Sequence, residues 1–293
     1  MSDAYWHELA SSCSNAGRWG AGDERGTLNL IGAREVLEAL GTVTAGELVS
    51  LAYELPVWDD GEDCASLEVA HTPGRGSSDR FSVAPHGYLV THVDALGHFF
   101  HSGLAYNGRN EGDVVGEQGL SFGSITAMSP GIMTRGVLLD VAAARGVTLL
   151  EQGEGISRAD VVEAERRSGT SVRRGDAVFI RSGIGQDRRW LDRNRLSGRP
   201  GVLPDVIPWL HEKGVAVYSG DCIERLDESG DRRGMPLHEI GLAVMGLALL
   251  DNPNVEVLRD ACARHGRSEF LLVVAPLRIP GATSSAVNPL AVF

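Results

Sequence analysis

Six short apolar runs, rich in branched side chains, constrain the fold of this chain more than any other feature of its sequence. They read LVSLAYEL, GYLVTHVD, RGVLLDV, DAVFIRSG, GVAVYSGD and FLLVVAPL. Each has the length of an ordinary strand and lies near Gly, Asp or Pro, a pattern typical of buried β-strands. The 37 glycines and 12 prolines are spread along the chain, which favours many strands joined by turns.

Segments with helical spacing lie between these runs. Three of them carry a capping residue, a terminal glycine or both, and they are Ser157–Gly169, Leu203–Gly214 and Asn254–Gly266. Strands and helices alternate irregularly and no internal repeat is present, so the sequence predicts a single α/β domain over residues 1–293. The polar, glycine-rich segment 58–80 predicts an excursion or lid.

Charge and cysteine content exclude several classes of partner. The net charge of −12 and the pI of about 5.2 argue against nucleic acid and anionic membranes, both of which attract basic surfaces. Four widely separated cysteines without a CxxC pair indicate reduced thiols. The N-terminus lacks the pattern of a secretory signal, and the longest apolar stretch, Gly241–Leu250, is about half the length that a membrane span needs. We therefore expect a soluble, cytoplasmic protein, while the charge says nothing positive about its substrate.

The stretch THVDALGHFFH, Thr91–His101, concentrates three histidines and an aspartate. If HGYLVTHVD is one strand, alternate side chains share a face, and these are His86, Tyr88, Val90, His92 and Asp94. A helical turn after Asp94 would bring His98 to the same side. Imidazoles and a carboxylate suit Zn²⁺ or Mn²⁺. From spacing alone, a metal site and a polar strand end with hydrogen-bonded histidines both remain open.

THVDALGHFF resembles the core motif of the cyclase family, which comprises kynurenine formamidase-like and isatin hydrolase-like metal-dependent amidohydrolases. The family pattern is roughly HxGTHxDxxxH, and this chain matches it at Thr91, His92, Asp94 and His98. Further segments appear in family order, as in the long bacterial members: RWGAGDERGTLNLI, GLAYNGR, TRGVLLDVA, GDAVFIRSG, GVAVYSGDCIE, PLHEIGL and EFLLVVAPLRIPGATSSAVNPLAVF. The resemblance covers nearly the whole chain.

This resemblance implies a cyclase-like α/β fold, with a central mixed, barrel-like β core flanked by helices, in a homodimer or homotetramer. It also implies a hydrolase of C–N bonds other than peptide bonds, of the arylformamidase or cyclic amidase kind. Such an enzyme opens a small cyclic amide, formamide or related acyl compound with a metal-activated water, and Zn or Mn is the expected ion.

Site residues follow from the same resemblance. His92, Asp94 and His98 would be metal ligands, and His98 could instead transfer a proton. His238 in PLHEIGL matches a late histidine expected near the leaving group. Asp251 stands where the family has a glutamate, which is one methylene longer, and we expect it to be catalytic.

The chain departs from the family pattern at Tyr88, where the first histidine is expected. A phenol is a poor ligand for Zn²⁺ or Mn²⁺ unless it is ionised. His71 and His101 could replace the missing ligand, and His86 could do so only if its strand bends or bulges. Without a metal, the same His/Asp cluster and Tyr88 could serve as acid/base groups of a biosynthetic cyclase, dehydratase or lyase. A binding protein without activity is a third alternative.

Four other side chains have a functional and a structural interpretation. Trp19 could line a substrate pocket or pack against the core. Arg181, after the strand AVFI, could bind a substrate carboxylate in bidentate fashion, or it could be a surface or ion-paired arginine. Asp221 and Glu224 follow a predicted strand and either border the cleft or cap the chain.

Overall fold

Nine strands form one curled half-barrel sheet that is flanked by helices. The computed structural model describes residues 3–57, 64–186, 198–225 and 235–293. In chain order the longer strands are β1 (Leu48–Ser50), β2 (Ala65–Thr72), β3 (Gly76–Val83), β4 (His92–Asp94), β5 (Ile132–Asp140), β6 (Ala177–Arg181), β7 (Val217–Gly220), β8 (Ala248–Asp251), β9 (Glu269–Val274), β10 (Ser284–Ala286) and β11 (Leu290–Val292). The order in the main sheet is β1-β11-β9-β5-β6-β7-β8-β4-β10. β2 and β3 pair separately as a hairpin.

The sheet is mixed. Strands β5, β6, β7 and β8 run parallel to one another, and both ends of this parallel block continue with antiparallel neighbours. Strand β4 lies between β8 and β10 and is antiparallel to both. Every residue of β6 and β8 is buried, as expected for parallel strands covered on both faces.

Six helices accompany the sheet, and they are α1 (Asp3–Cys13), α2 (Ala33–Leu40), α3 (Arg158–Ser168), α4 (Val206–Lys213), α5 (Leu237–Met245) and α6 (Val255–His265). α5 has π-helical hydrogen bonding, a geometry that often occurs at functional sites. Shorter elements are the one-turn helices Glu111–Val114 and Val141–Ala144, the 3₁₀ turns Gly26–Leu30, Tyr106–Gly108, Ile125–Met128 and Ile184–Gln186, and the two-residue strand pairs Leu104–Ala105 with Arg109–Asn110, Val115–Gly116 with Gly119–Leu120, and Gly155–Ile156 with Gly201–Val202.

The strand and helix patterns in the sequence are largely confirmed. All six apolar runs contain a strand of the main sheet, and the three predicted helices correspond to α3, α4 and α6. Each of the three helices is followed directly by a glycine with left-handed backbone. Cys13, Cys222 and Cys262 are free and buried, and Cys64 is also buried. In the described part of the chain no helix has the length and hydropathy of a membrane span.

Two predictions about local structure need correction. HGYLVTHVD is not one strand, because only His92–Asp94 pairs in the sheet and the chain bends upstream, where Gly87 has φ +117°. The predicted excursion 58–80 is in its later part an exposed β-hairpin, since strands β2 and β3 extend from 65 to 83. Its residues 58–63 lie outside the described part of the chain.

Helix α3 begins with a capping box. The Ser157 hydroxyl accepts from the Asp160 amide at 3.3 Å, and the Asp160 carboxylate accepts from the Ser157 amide at 2.8 Å. Arg145 donates to both Asp160 oxygens, at 2.8 and 2.7 Å. The Arg145 hydrogen bonds, together with those from Ser157, outweigh partial burial and lower the pKa of Asp160 to about 2.

We expect Asp160→Asn to lower the free energy of unfolding by about 1 kcal/mol at pH 7, the usual cost of losing a cap. A carboxyl with a lowered pKa stabilises the fold above its unfolded pKa of about 3.9 and loses that contribution as the pH falls towards its folded pKa. Urea denaturation at pH 7, 4 and 3 should therefore show the difference shrinking on acidification. Glu163→Gln, on the exposed side of the same helix, should change stability less. A larger difference at pH 3 than at pH 7 would contradict this assignment.

Candidate active site

Strand pairing positions two buried carboxylates next to each other. On β4, His92 and Asp94 point to one side while Val93 is fully buried on the other, as strand alternation requires. Asp251, the last residue of β8, lies directly opposite His92 in the antiparallel register. Asp94 is 0% exposed and Asp251 is 4% exposed. The site therefore begins as two acids held by backbone hydrogen bonds at the edge of the core.

The bend at Gly87 brings His86 into this cluster. Its Nδ1 lies 3.2 Å from Oδ1 of Asp94, and its Nε2 lies 2.9 Å from the Thr283 hydroxyl. Thr283 is itself fixed, since its carbonyl accepts from the Ala95 amide at 2.9 Å, just before β10 pairs with β4. His86 also stacks on His98, with ring centroids 3.7 Å apart.

His98 reaches the cluster through a tight turn after Asp94. The His98 amide closes this turn by donating a hydrogen bond to the Ala95 carbonyl at 2.9 Å. The predicted turn is therefore present, although no helix follows it. Burial lowers the pKa of His98 to about 4, against the opposing charge of Asp94. Its imidazole is neutral at neutral pH, with a lone pair available.

His238, the second residue of α5, enters from the opposite side. Its Nδ1 lies 2.8 Å from Oε1 of Glu224, and its Nε2 lies 3.5 Å from Oδ2 of Asp94 and 3.8 Å from Oδ2 of Asp251. Burial lowers its pKa, but the Glu224 charge and Asp94 raise it well above the usual range. The ring is thus oriented by one carboxylate and directed at two others.

The electrostatics of the cluster centre on Asp94. Burial raises its pKa, but the imidazoles of His238, His86 and His92 outweigh burial and hold it well below the usual range. Burial lowers the pKa of His92, but Asp94 raises it more strongly, so that it reaches about 9. Burial and the charge of Asp94 raise the pKa of Asp251 to about 6.

The arrangement of donor atoms fits a divalent cation. Two triads that share Asp94 each bring three ligand atoms within 4.8 Å of one another, and they are His86–Asp94–His98 and His92–Asp94–Asp251. In the described residues both Asp94 oxygens are buried without a hydrogen-bond donor. Such a carboxylate ordinarily has a donor or a cation. Imidazole nitrogens together with carboxylate oxygens suit Zn²⁺ or Mn²⁺.

The part of the chain that contains His86, His92, Asp94 and His98 matches a known family model. The model of the Cyclase family, described as "Putative cyclase", matches residues 47–225. The chain belongs to the Cyclase family. No curated protein sequence matches it.

Solved structures of family folds resemble this one. The crystal structure of a novel cyclase is 27% identical with a TM-score of 0.86, and the match covers 97% of this chain and 99% of that one. Isatin hydrolase A from Labrenzia aggregata, bound to benzyl benzoate, is 18% identical with a TM-score of 0.62, over 88% of this chain and 97% of that one. A predicted metal-dependent hydrolase from Bacillus stearothermophilus is 15% identical with a TM-score of 0.53, over 85% and 98%.

Tyr88, which replaces the first histidine of the Cyclase family pattern, belongs to neither triad. The guanidinium carbon of Arg199 lies 4.0 Å from the centroid of its ring. Burial, followed by the charge of Glu224, raises the pKa of Tyr88 to about 12. In the metal-free protein the phenol therefore stays protonated near neutral pH and can donate a hydrogen bond. His86, rather than Tyr88, supplies a nitrogen next to the Asp94 carboxylate.

The other histidines considered from the sequence lie apart from the triads. His71 is exposed on the β2–β3 hairpin, where its Nδ1 lies 3.2 Å from the Ser77 hydroxyl. His101 lies 3.9 Å from Glu239. Trp19 is half-buried against the core beneath the Arg18 guanidinium, which lies 4.8 Å from its ring centroid. A pocket-lining role for Trp19 stays a prediction.

The substrate-binding prediction for Arg181 needs correction. Its side chain is 2% exposed and is held by Glu256 at 2.8 and 3.1 Å and by Asp140 at 2.9 and 3.1 Å. The Thr148 carbonyl accepts a further hydrogen bond at 3.1 Å. Because two carboxylates already occupy the guanidinium, Arg181 has no free edge for a substrate carboxylate. It joins the end of β6 to α6 instead.

Sequence reasoning left Asp221 and Glu224 with two roles each, and the structure separates them. Asp221 has the capping role, because its carboxylate accepts hydrogen bonds from the amides of Ser182 and Gly183, just after β6, at 2.7 and 2.8 Å. Glu224 is buried beside His238. Both follow the same strand, so only the tertiary partner distinguishes them. Arg199 carried no sequence signal at all.

We expect Arg181→Met to lower the free energy of unfolding by about 3 kcal/mol, because it leaves two partly buried carboxylates without their cation. Denaturant titration measures this loss. The metal content of the folded variant and its KM should stay at wild-type values. Arg158→Met, which removes the exposed pair with Glu212, is the matched control and should cost less. A stable Arg181 variant with a raised KM would restore the substrate-binding role.

Proposed function

We propose that this protein is a metal-dependent hydrolase that cleaves a C–N bond in a small cyclic amide, formamide or related acyl compound. The observation that carries the proposal is the buried Asp94 carboxylate, which lacks a hydrogen-bond donor among the described residues and has three imidazole nitrogens within 3.2–3.5 Å. Membership of the Cyclase family supports it. The similar folds of isatin hydrolase A and a predicted metal-dependent hydrolase agree with it.

The cation would be held by residues of the two triads, with Asp94 common to both. A divalent ion such as Zn²⁺ or Mn²⁺ lowers the pKa of a water molecule towards neutrality and polarises a carbonyl oxygen. His86 supplies the imidazole that the motif lacks at Tyr88. The Thr283 hydroxyl beside its other nitrogen orients the ring, as hydrogen-bond partners of ligand histidines do.

His238 and Glu224 form the proton-delivery pair of this proposal. The 2.8 Å contact between His238 Nδ1 and Glu224 fixes the ring, and the raised pKa of His238 favours its protonated form. Its Nε2 faces the acids at the centre of the cluster, where a scissile amide would lie. A protonated imidazole there can donate to the leaving nitrogen, a transfer that is needed because an amide anion is a poor leaving group.

Elemental analysis of the purified protein is the primary test. We expect close to stoichiometric Zn or Mn in the wild type. His92→Ala and His86→Ala should each weaken metal binding by more than the roughly 100-fold that loss of an orienting partner of a ligand costs. His71→Ala removes an exposed histidine outside both triads and should bind metal as the wild type does. Protein that stays metal-free after incubation with both ions would sink the proposal.

The role of His238 can be tested with matched substrates. His238→Gln should lower kcat for an anilide at least ~100-fold, as loss of a general acid does. For a p-nitrophenyl ester of the same acyl group the loss should be much smaller, because its leaving group needs no proton. Glu224→Gln should give the same pattern more weakly, since it only releases the ring. Metal content should be unchanged, and equal losses on both substrates would contradict the assignment.

A second candidate function is a cyclase, dehydratase or lyase that uses the cluster as acid/base groups without metal. Tyr88 favours it, because its phenol, with a pKa of about 12, is a protonated acid in a family position where the pattern has a histidine. Asp251, with a pKa of about 6, could act as the base. Activity that survives complete chelation would favour this candidate over the hydrolase.

A further inference from the structure

One buried arginine has no carboxylate partner in the described chain. Three arginines there are buried, and they are Arg135, Arg181 and Arg199. Arg135 is paired with Asp176 and Glu269, and Arg181 with Asp140 and Glu256. Arg199 is only 5% exposed, yet within the described residues its Nε and Nη1 are buried without a hydrogen-bond partner.

An unpaired buried guanidinium is energetically unfavourable. Burial lowers the pKa of Arg199, but a guanidinium stays protonated at any physiological pH. A charge removed from water is unfavourable unless other groups compensate it. Its stacking on the Tyr88 ring offsets part of that cost. The two free donors therefore favour an anion that the described part of the chain does not supply.

The backbone holds Arg199 beside the His/Asp cluster. Arg199 precedes the short strand Gly201–Val202, where the Val202 amide donates to Ile223 at 2.8 Å and the Arg225 amide donates to Val202 at 3.0 Å. This segment packs closely on Glu224, because a Cβ at Gly201 would lie 2.4 Å from the Glu224 carbonyl carbon. Glu224 is in turn the partner of His238. The backbone that carries Arg199 is thus packed against the segment that carries the Glu224 of the proton-delivery pair.

We propose that Arg199 binds a carboxylate of the substrate, so that the enzyme acts on an acyl compound carrying a carboxylate in addition to its scissile carbonyl. This inference rests on the proposed hydrolase function and names its substrate class. Charge supports it, because Arg199 differs from the two other buried arginines of the described chain: both of those are paired with carboxylates. The fixed positive charge of Arg199 is therefore available to a substrate anion.

The same inference gives Tyr88 a function. Its ring lies against the guanidinium with 4.0 Å between the guanidinium carbon and the ring centroid. A stacked guanidinium has a fixed plane, and the donors on its edge then keep a fixed direction. Tyr88 is therefore a positioning residue for Arg199, while His86, two residues earlier, supplies the imidazole of the cluster.

Benzoate and its neutral isostere benzamide are suitable probes, measured by calorimetry on protein as purified and after chelation. We expect the wild type to bind benzoate at least ~10-fold more tightly than benzamide, a difference of about 1.4 kcal/mol, before and after chelation. Arg199→Met should lose this preference and Arg199→Lys should keep part of it. Tyr88→Phe should retain it and Tyr88→Leu should weaken it. Arg109→Met is the control, since Arg109 also stacks on an aromatic ring, that of Phe122.

Thermal unfolding separates an anion site from a structural role. Without benzoate, Arg199→Met should melt at or above the wild-type temperature, because an unpaired buried charge is removed. Benzoate should raise the melting temperature of the wild type and leave that of Arg199→Met unchanged. A strongly destabilised Arg199→Met, or a wild type without preference for benzoate, would overturn the inference.

Failure of the Arg199 inference can be told apart from failure of the hydrolase proposal. Benzoate binding that disappears on chelation but persists in metal-loaded Arg199→Met would mean that the anion binds the cation, which overturns the Arg199 inference and leaves the hydrolase standing. Arg199-dependent benzoate binding in a protein that takes up no metal would support the anion site and reject the hydrolase.

Discussion

The antiparallel pairing of β4 between β8 and β10 is the constraint on which the site depends. It fixes His92 opposite Asp251 and Ser284 opposite Asp94, with backbone hydrogen bonds on both sides. A fully buried carboxylate at that point is tolerated only if positive or polarisable groups surround it. The imidazoles of His86, His92 and His238 contribute to that requirement, and the bend at Gly87, strand β4 and helix α5 place them there. The Asp94 carboxylate is therefore the common neighbour of the cluster.

The sequence predicted those features that depend on local periodicity. Alternation along β4 places His92 and Asp94 on one face, and the apolar runs mark the strands of the sheet. The bend at Gly87 could not be read in the same way, because HGYLVTHVD carries the alternation of a longer strand. The left-handed backbone at Gly87 is set by contacts with distant segments, such as Asn252, which donates to its carbonyl. The sequence therefore admits His86 as a ligand only if its strand bends, whereas in the fold His86 contacts Asp94.

The arginines illustrate the same limit for charges. Arg181 and Arg199 both lie near strands, and the sequence alone suggests a substrate carboxylate only for Arg181. What separates them is the set of acids contributed by remote segments: Arg181 meets Asp140 and Glu256, whose positions depend on β5 and α6. No such acid from the described chain reaches Arg199. A residue's availability for binding is thus a property of the fold, because it depends on which partners the fold has already provided.

These two results together explain why a departure from the family motif need not abolish the site. Replacing a histidine by Tyr88 removes one nitrogen ligand and adds an aromatic face that stays neutral, with a pKa of about 12. The bend restores a nitrogen through His86, and the new face supports the Arg199 guanidinium. Under the proposed function, His86 would serve as a ligand while the ring of Tyr88 serves as a platform for Arg199. Such an arrangement would change which substrates the site accepts more than the chemistry it performs.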